Sequence, residues 1–276
     1  MFSFDNIYLI SEMVEQETLD GIMVAEAALG LAFPEEFKSF VTRLGRGEYD
    51  GEVYAYMPSE IIEQKEELQE IWVETANTWD NLDDVLPSPK LSQMIPLGGT
   101  SDGDAIAFHP DNPQVIYILP RNSAEIIVAQ TFTEAIWRCS PFVSSSGQPR
   151  TRIIPAPESP TGYEFHTFGN AESREPISYP PLEAIVTYQE VFSMFRQIAE
   201  HEPDAFLVEY KDDAVGDPST QTAQLCWLYL RGIFAEVTCR YYEARDGFTE
   251  FSILITADPG REEQTVTRLN DYLRRI

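Results

Sequence analysis

The sequence predicts an α+β protein made of two compact units. At 276 residues the chain is about twice the usual domain size of roughly 100–150 residues. Hydrophobic residues make up 43% of it and aromatic residues 12%, which is enough apolar material for two cores. Short strand-like runs separated by turn residues alternate with segments of helical periodicity. These short spacings indicate antiparallel strands, with helices packed beside them.

A proline-rich connector separates the two predicted units. Eight of the 19 prolines fall between Ser140 and Pro181, together with the run Ser144 to Gly147. Such a composition is typical of a boundary. We therefore expect one domain over residues 1–140, a partly ordered connector over 141–181 and a second domain over 182–276.

The first unit is predicted to open with two helices. Apolar residues from Leu19 to Leu29 indicate one helix, which Gly30 ends. Pro34 suits the first position of the second helix, and the acids after it suit the positive end of the helix dipole. An apolar stripe at helical spacing assigns these residues to the core: Phe33, Phe37, Phe40, Val41 and Leu44.

A strand, an acidic helical stretch and four more strands follow. Val53, Ala55 and Met57 alternate with tyrosines as in a strand, and residues 60–84 contain nine acids against one base, Lys65. Four β-rich runs are predicted to form a meander, with turns at 98–99, 111–113 and 121–122: 94–97, 105–108, 115–118 and 126–129. Thr131 and Glu134 form a capping-box pattern that predicts a closing helix.

The second unit is predicted to have the order α-β-β-β-β-α. Thr187 and Glu190 repeat the capping-box pattern before a helix with Val191, Phe195 and Ile198 on its inner face. Strand-like runs cover 205–210, 225–230, 234–241 and 248–255. Asp258 and Pro259 are typical of the start of a terminal helix.

Charge restricts the kind of partner. The chain has 46 acidic against 19 basic residues, a formal net charge of −27. Such a charge repels phosphate backbones and anionic lipids and attracts cationic surfaces. We therefore expect a basic protein partner and neither nucleic acid nor membrane. The alternative interpretation is that the acidity only keeps the protein soluble.

Cysteine usage and the N-terminus favour the cytoplasm. The three cysteines, Cys139, Cys226 and Cys239, form no closely spaced pair, which suits a reducing compartment. The chain starts without a basic segment followed by an apolar stretch, and no run of about 18 apolar residues occurs. We expect the cysteines to pack as small apolar residues rather than to act as nucleophiles.

The sequence contains little material for catalysis. His109, His166 and His201 are isolated and do not form a zinc-binding pattern. The loop from Gly98 to Asp104 fits neither a phosphate-binding nor a calcium-binding template and is interpreted as a turn. We therefore expect a protein that is not an enzyme and has no metal or cofactor. The alternative is an enzyme in the second unit that uses Glu209, Asp212, Asp213 or Arg240.

The acidic stretch with its two tryptophans has two interpretations. In one, carboxylates line a solvated helix face and both tryptophans belong to the core. In the other, carboxylates around partly exposed aromatic side chains bind a basic protein. The second interpretation, extended to the acids near residue 50, gives these candidate partner-binding residues: Glu48, Asp50, Glu52, Glu67, Glu70, Trp72, Glu74, Trp79, Asp80, Asp83 and Asp84.

The order of several short motifs resembles one known family. Glu26-x-x-x-Leu-Gly is followed by FPEEFKSFVTRLGRGEYDGE (33–52), IPLGGTSDGDAIAF (95–108), a strand at 115–117 and TFTEAI (131–136). This order is similar to the SUKH superfamily, in its branch named after fungal cell-wall-synthesis regulators, over residues 17–140. The Asn-Gly turn of that family is replaced here by Leu44-Gly45-Arg46-Gly47.

The resemblance implies an α+β domain without catalytic residues over the N-terminal half. In bacteria such domains serve chiefly as immunity proteins that bind and neutralise toxin domains, often nucleases or deaminases. The first functional hypothesis is therefore an immunity protein against a basic toxin. The second is a regulatory or scaffolding module that binds a housekeeping partner. The second unit resembles no family that we identify.

Overall fold

The computed structural model describes twelve stretches of the chain. They are residues 7–9, 14–50, 52–121, 125–139, 166–169, 177–179, 188–201, 205–212, 220–230, 235–244, 249–257 and 261–273. Most of the predicted connector, Thr187, Asp213, Asp258 and Pro259 lie outside them. The described residues form two compact units. One contains residues 14–139 and 167–169, and the other contains residues 7–9, 177–179 and 188–273, with the gaps given above.

Two helices open the first unit, as predicted. Helix α1 (Leu19–Leu29) is capped by Thr18, whose hydroxyl accepts a hydrogen bond from the Gly21 amide, and it ends at Gly30 with a left-handed φ of 67°. Helix α2 spans Glu35–Arg43. Pro34 is its N-cap and not its first residue. All five residues of the predicted apolar stripe are buried: Phe33, Phe37, Phe40, Val41 and Leu44.

The remaining elements of the first unit alternate around an antiparallel sheet. Strands β2 (Glu48–Tyr49) and β3 (Val53–Ala55) precede helix α3 (Pro58–Thr75) and the short helix α4 (Leu82–Val85), whereas β1 (Ile7–Leu9) belongs to the other unit. The meander and closing helix follow: β4 (Ile95–Thr100), β5 (Ala105–His109), β6 (Asn112–Leu119), β7 (Ile127–Ala129) and α5 (Phe132–Cys139). Strand β8 (His166–Gly169) completes an order of β8-β2-β3-β4-β5-β6-β7.

This sheet is buried on both faces. On one face, Ala107, Tyr117 and Leu119 pack with Trp72 and Trp79 from the segment that includes α3. Residues 106, 108, 116 and 118 alternate with them and are also buried, on the opposite face. Helices α2 and α5 contribute no residue to the tryptophan cluster and pack with each other through Phe132. The ring centroid of Phe132 lies 5.2 Å from that of Phe37.

Two of the predicted turns are wrong. Gly98 and Gly99 lie inside β4, and the turn is formed by the next residues, where the Thr100 amide donates to the Asp104 carbonyl at 2.9 Å. Gly98 and Gly99 are required because a Cβ atom on Gly98 would overlap the Tyr54 carbonyl oxygen of the neighbouring strand β3, and one on Gly99 would lie 2.7 Å from the Asp104 carbonyl oxygen. Asn112 and Pro113 belong to β6. The turn before β6 is therefore only two residues long, since His109 pairs with Asn112.

The second unit confirms the predicted order of elements. It contains α6 (Tyr188–His201), β10 (Ala205–Asp212), β11 (Thr220–Leu230), β12 (Ala235–Ala244), β13 (Thr249–Ala257) and α7 (Glu262–Leu273). Strand β9 (Ile177–Tyr179), which was not predicted, pairs with β13 and extends the antiparallel sheet to β10-β11-β12-β13-β9. The core contains the predicted inner face of α6 together with Cys226 and Cys239. These two cysteines are cross-strand partners and are not joined by a disulfide bond.

No helix within the described stretches is both long enough and apolar enough to cross a membrane.

The close approach of the Tyr54 carbonyl to Gly98 gives a prediction about stability. A Cβ atom on Gly98 would overlap the Tyr54 carbonyl oxygen, which is main chain and cannot move independently. We expect Gly98→Ala to lower the free energy of unfolding by about 2–3 kcal/mol, as overpacking does. Gly30→Ala is the control, because its Cβ would have open space and only the left-handed φ would cost about 1 kcal/mol. Urea denaturation measures both, and a smaller loss for Gly98→Ala than for Gly30→Ala would contradict the explanation.

Candidate acidic docking surface

Helix α3 is fixed at its N-terminus by a network of charged groups. The Glu60 carboxylate accepts a hydrogen bond of 2.7 Å from the Met57 amide, which satisfies a donor just before the helix. Arg46 bridges Glu60 at 2.7 Å and Glu15 at 3.3 Å. The positive charge of Arg46 is therefore already neutralised by Glu60 and Glu15.

The two tryptophans of the acidic stretch belong to the core. Trp72 is 4% exposed and Trp79 is 6% exposed. The Trp79 indole nitrogen donates to the Pro120 carbonyl at 2.8 Å, so its polar atom is satisfied inside the protein. The expectation that Trp72 and Trp79 are partly exposed and bind a partner is wrong. The other interpretation of the pattern, in which both are core residues, is confirmed.

Carboxylates occupy the opposite side of α3. We call the following exposed residues, spaced three or four apart, the α3 acidic stripe: Glu63, Glu66, Glu67, Glu70 and Glu74. Within the described part of the chain, no lysine or arginine forms an ion pair with any of them. Lys65 lies on another side of α3, because the two-residue step from Glu63 turns the helix by about 200°. The stripe therefore presents negative charge that the surrounding protein does not neutralise.

Apolar side chains border this stripe. Ile62 is 40% exposed, Ile71 is 45% exposed and Val73 is 48% exposed. A partner that covered α3 would therefore bury apolar area as well as meet carboxylates, which is the composition of a protein-binding surface. The sequence analysis did not select these three residues. Their spacing in the sequence could have indicated their exposure, because they do not lie on the side of α3 that carries the buried residues Ile61 and Trp72.

One asparagine anchors the acidic segment that follows α3. Asp80, Asp83 and Asp84 are exposed around the start of α4. Asn81 between them exchanges two hydrogen bonds with the main chain of Ile126, donating at 2.9 Å and accepting at 2.7 Å. This pairing ties the acidic segment to the residue before β7 and fixes where its carboxylates lie.

The acids near residue 50 form a separate group. Glu48 and Glu52 are half-buried, whereas Asp50 is 7% exposed and has a φ of 56°. Burial, and then the neighbouring Glu52, raises the pKa of Glu48. Burial, and then Asp102, raises the pKa of Glu52, whose carboxylate also accepts a hydrogen bond from the Ser101 hydroxyl. The structure therefore brings Glu48, Glu52 and Asp102 together, and it places Asp50 in the interior, which contradicts its predicted role as a surface contact.

Two tyrosines lie beside these acids. Tyr54 is the direct cross-strand partner of Glu48, and its ring meets that of Tyr56 edge-to-face at 5.5 Å. Burial, and then the neighbouring Tyr54, holds the pKa of Tyr56 above its usual range. Both side chains are half-buried, so this part of the sheet offers aromatic edges next to carboxylates.

The remaining candidate reactive groups include a buried histidine and a half-buried cysteine. His109 is 2% exposed, and its Nδ1 accepts a hydrogen bond from the Asp111 amide; burial, and then Lys90, lowers its pKa. Burial raises the pKa of the Cys139 thiol to about 12. Among the described residues, no three histidine, cysteine, aspartate or glutamate side chains gather as metal ligands would. Glu209 and Asp212 lie on β10 and Arg240 on β12, and Asp213 is outside the described residues.

The fold and this surface define the class of protein. The first unit is an α+β domain whose antiparallel sheet is flanked by helices, and exposed carboxylates line the outer face of α3. Residues 17–136 match the model of the SMI1/KNR4 family (SUKH-1). This match covers 120 of the 276 residues and confirms the resemblance to the SUKH-1 family that the motifs predicted. No curated protein matches the chain, and neither does any solved structure.

The raised pKa of Glu48 predicts how one substitution depends on pH. A carboxyl group whose pKa is raised by folding carries no penalty below its unfolded pKa; the penalty grows as the pH rises from the unfolded to the folded pKa and is complete above the folded pKa. Glu48→Gln should therefore raise the free energy of unfolding at pH 7, and this gain should shrink as the pH falls towards about 4. Urea denaturation across this pH range measures it.

Glu125→Gln is the control for that substitution, because it removes one exposed carboxylate away from the Glu48 group. A similar pH-dependent gain from Glu125→Gln would assign the effect to net charge alone. A loss of stability in Glu48→Gln at pH 7 would contradict the placement of Glu48 next to like charge.

Proposed function

We propose that this protein is a non-catalytic binding protein that neutralises a basic toxin domain, such as a nuclease, by covering its cationic surface. The observation that carries the proposal is the α3 acidic stripe, a row of exposed carboxylates without ion-pair partners among the described residues and with exposed apolar side chains on both sides. The resemblance to the SUKH-1 family supports a binding role of the immunity or regulatory kind.

Electrostatics explain why such a surface would act on a nuclease. A nuclease must present lysine and arginine side chains to the phosphates of its substrate. A protein of net charge −27 is attracted to such a surface over distances comparable with the Debye length, about 8 Å at physiological salt. Charge of this kind raises the association rate and selects the partner, while apolar contacts slow dissociation.

The apolar border supplies the second component of binding. Ile62, Ile71 and Val73 are each roughly half exposed, and exposed branched side chains on a helix are not needed for folding. Their burial would add free energy that does not depend on salt. The same residues would explain how an acidic protein distinguishes its toxin from other cationic proteins, because a partner must match both the charges and the apolar positions.

A regulatory or scaffolding module is the second candidate function. The observation that favours it is the second unit, a five-stranded sheet with two helices that lies beyond the residues matched by the family model. Such an additional domain would suit a protein that connects partners. In this case the α3 acidic stripe would bind a housekeeping protein, and the chain would act in the cytoplasm without any toxin.

Co-expression with a neighbouring gene product tests the immunity role. We expect the full-length chain to restore growth to cells that express the toxin domain encoded beside its gene, and to bind that domain in a purified mixture. Replacing Glu63, Glu67, Glu70 and Glu74 by glutamine should weaken binding at least ten-fold, about 1.4 kcal/mol, mainly through a slower association rate. Surface plasmon resonance at two salt concentrations separates the two rates.

The matched control removes the same number of carboxylates elsewhere in the first unit. Glu35, Asp102, Asp111 and Glu125 are exposed and lie off α3, so their replacement by glutamine or asparagine also removes four negative charges. If this control weakens binding as much as the α3 variant, the stripe is not the docking surface. Failure of the wild-type chain to protect cells, together with recovery of a housekeeping complex, would favour the regulatory role.

A further inference from the structure

Helix α1 presents an apolar face to solvent. Leu19 is 70% exposed, Met23 is 64% exposed and Val24 is 68% exposed, and these are the most exposed large apolar residues among the described part of the chain. The face that packs inward is different and contains Ile22 and Ala25. The helix is therefore apolar on both sides, and among the described residues only its inner side packs within its own domain.

Folding does not require these exposed side chains. The helix is already terminated by Thr18 and Gly30 and anchored by Ile22 and Ala25. An exposed valine lowers helix propensity relative to lysine or glutamate. Large apolar side chains grouped on one exposed helix face are typical of a surface that another protein covers.

The shape of this face fits a second helix. At 100° per residue, Leu19, Met23 and Ala27 follow one row along α1, and Val24 and Ala28 follow the adjacent row. Ala27 and Ala28 are exposed as well, so large side chains near the N-terminus give way to small ones near the C-terminus. Alternating ridges and hollows of this kind accept the side chains of a packed helix.

Charge selects the occupant of this face. No lysine, arginine or histidine occurs between residues 14 and 37, whereas Glu15, Glu17, Asp20, Glu26, Glu35 and Glu36 do. A second copy of the chain would bring the same acids into contact with each other, and an anionic membrane would be repelled. In space, Lys38 forms ion pairs with Glu26 and Glu35, and Arg46 forms one with Glu15, whereas no cation among the described residues pairs with Glu17 or Asp20. An apolar surface whose unpaired charged neighbours are acidic is complementary to an apolar surface with basic neighbours.

We propose that the outer face of α1 is a docking surface for an amphipathic helix of a partner protein that carries apolar residues on one side and lysine or arginine on its borders. The surface consists of Leu19, Met23 and Val24 with Ala27 and Ala28. It is distinct from the α3 acidic stripe, and it does not depend on the partner being a toxin.

A designed peptide tests this surface in the full-length protein. The probe is a fluorescent 18-residue helix of leucine and lysine in amphipathic order, and the comparison is a peptide with the same composition in scrambled order. We expect the amphipathic peptide to bind at least ten-fold more tightly than the scrambled one. Replacing Leu19, Met23 and Val24 together by glutamine should remove this preference and leave the weak binding of both cationic peptides unchanged.

The matched control is the replacement of Ile62, Ile71 and Val73 by glutamine, which removes three exposed apolar side chains from α3. This variant should keep the ten-fold preference. Thermal unfolding confirms that both variants fold, and Met23→Gln with Val24→Gln is the milder substitute if the triple α1 variant does not. Equal binding of the two peptides to the wild type, or an unchanged preference in the α1 variant, would overturn the proposal.

Sedimentation velocity tests whether a second copy of the chain occupies this face instead. The wild-type chain should show no self-association that the α1 substitutions abolish. A dimer that disappears in the α1 variant would assign the face to a second copy of the chain and would overturn the proposal. Loss of the preference in the α3 control alone would place the docking surface on α3 and would leave the proposed function standing.

Discussion

The burial of Trp72 and Trp79 against the sheet determines which side of α3 faces solvent. Both indoles pack with residues of β5 and β6, and Trp79 is also hydrogen bonded to Pro120. A helix has one orientation about its axis, so the side opposite Trp72 must point outward, and this side carries the α3 acidic stripe. Apolar packing, which is insensitive to salt, thus holds the carboxylates of α3 close together despite their mutual repulsion.

The same sheet creates two other surfaces with different chemistry. Near β2 and β3, the fold holds Glu48 and Glu52 in partly buried positions, where burial, and then neighbouring like charge, raises their pKa values. On α1, large apolar side chains face outward without a cation between residues 14 and 37. A partner with basic residues at the borders of an apolar patch would complement both surfaces.

Much of the fold could be predicted from local patterns, because caps, turns and periodicity are encoded within a few residues. The ends of α1, the aromatic stripe of α2 and the helix–strand order of the second unit all follow such patterns. The requirement for glycine at position 98 inside β4 could not be predicted in this way, since it depends on Tyr54, which is more than forty residues away in sequence. Whether Trp72 was exposed also depended on the distant strands β5 and β6. The exposed face of α1 was missed because an apolar helix face is normally assigned to the core.

Hydrogen–deuterium exchange of the full-length chain with and without its captured protein partner would test the central claim most directly. The account predicts that amides of α3 exchange more slowly in the complex, as does the 80–84 segment tied to Ile126, since a docked partner would exclude water from both. Unchanged exchange across α3, with protection confined to the five-stranded sheet of the second unit, would show that the acidic face of the first unit is not where the partner binds.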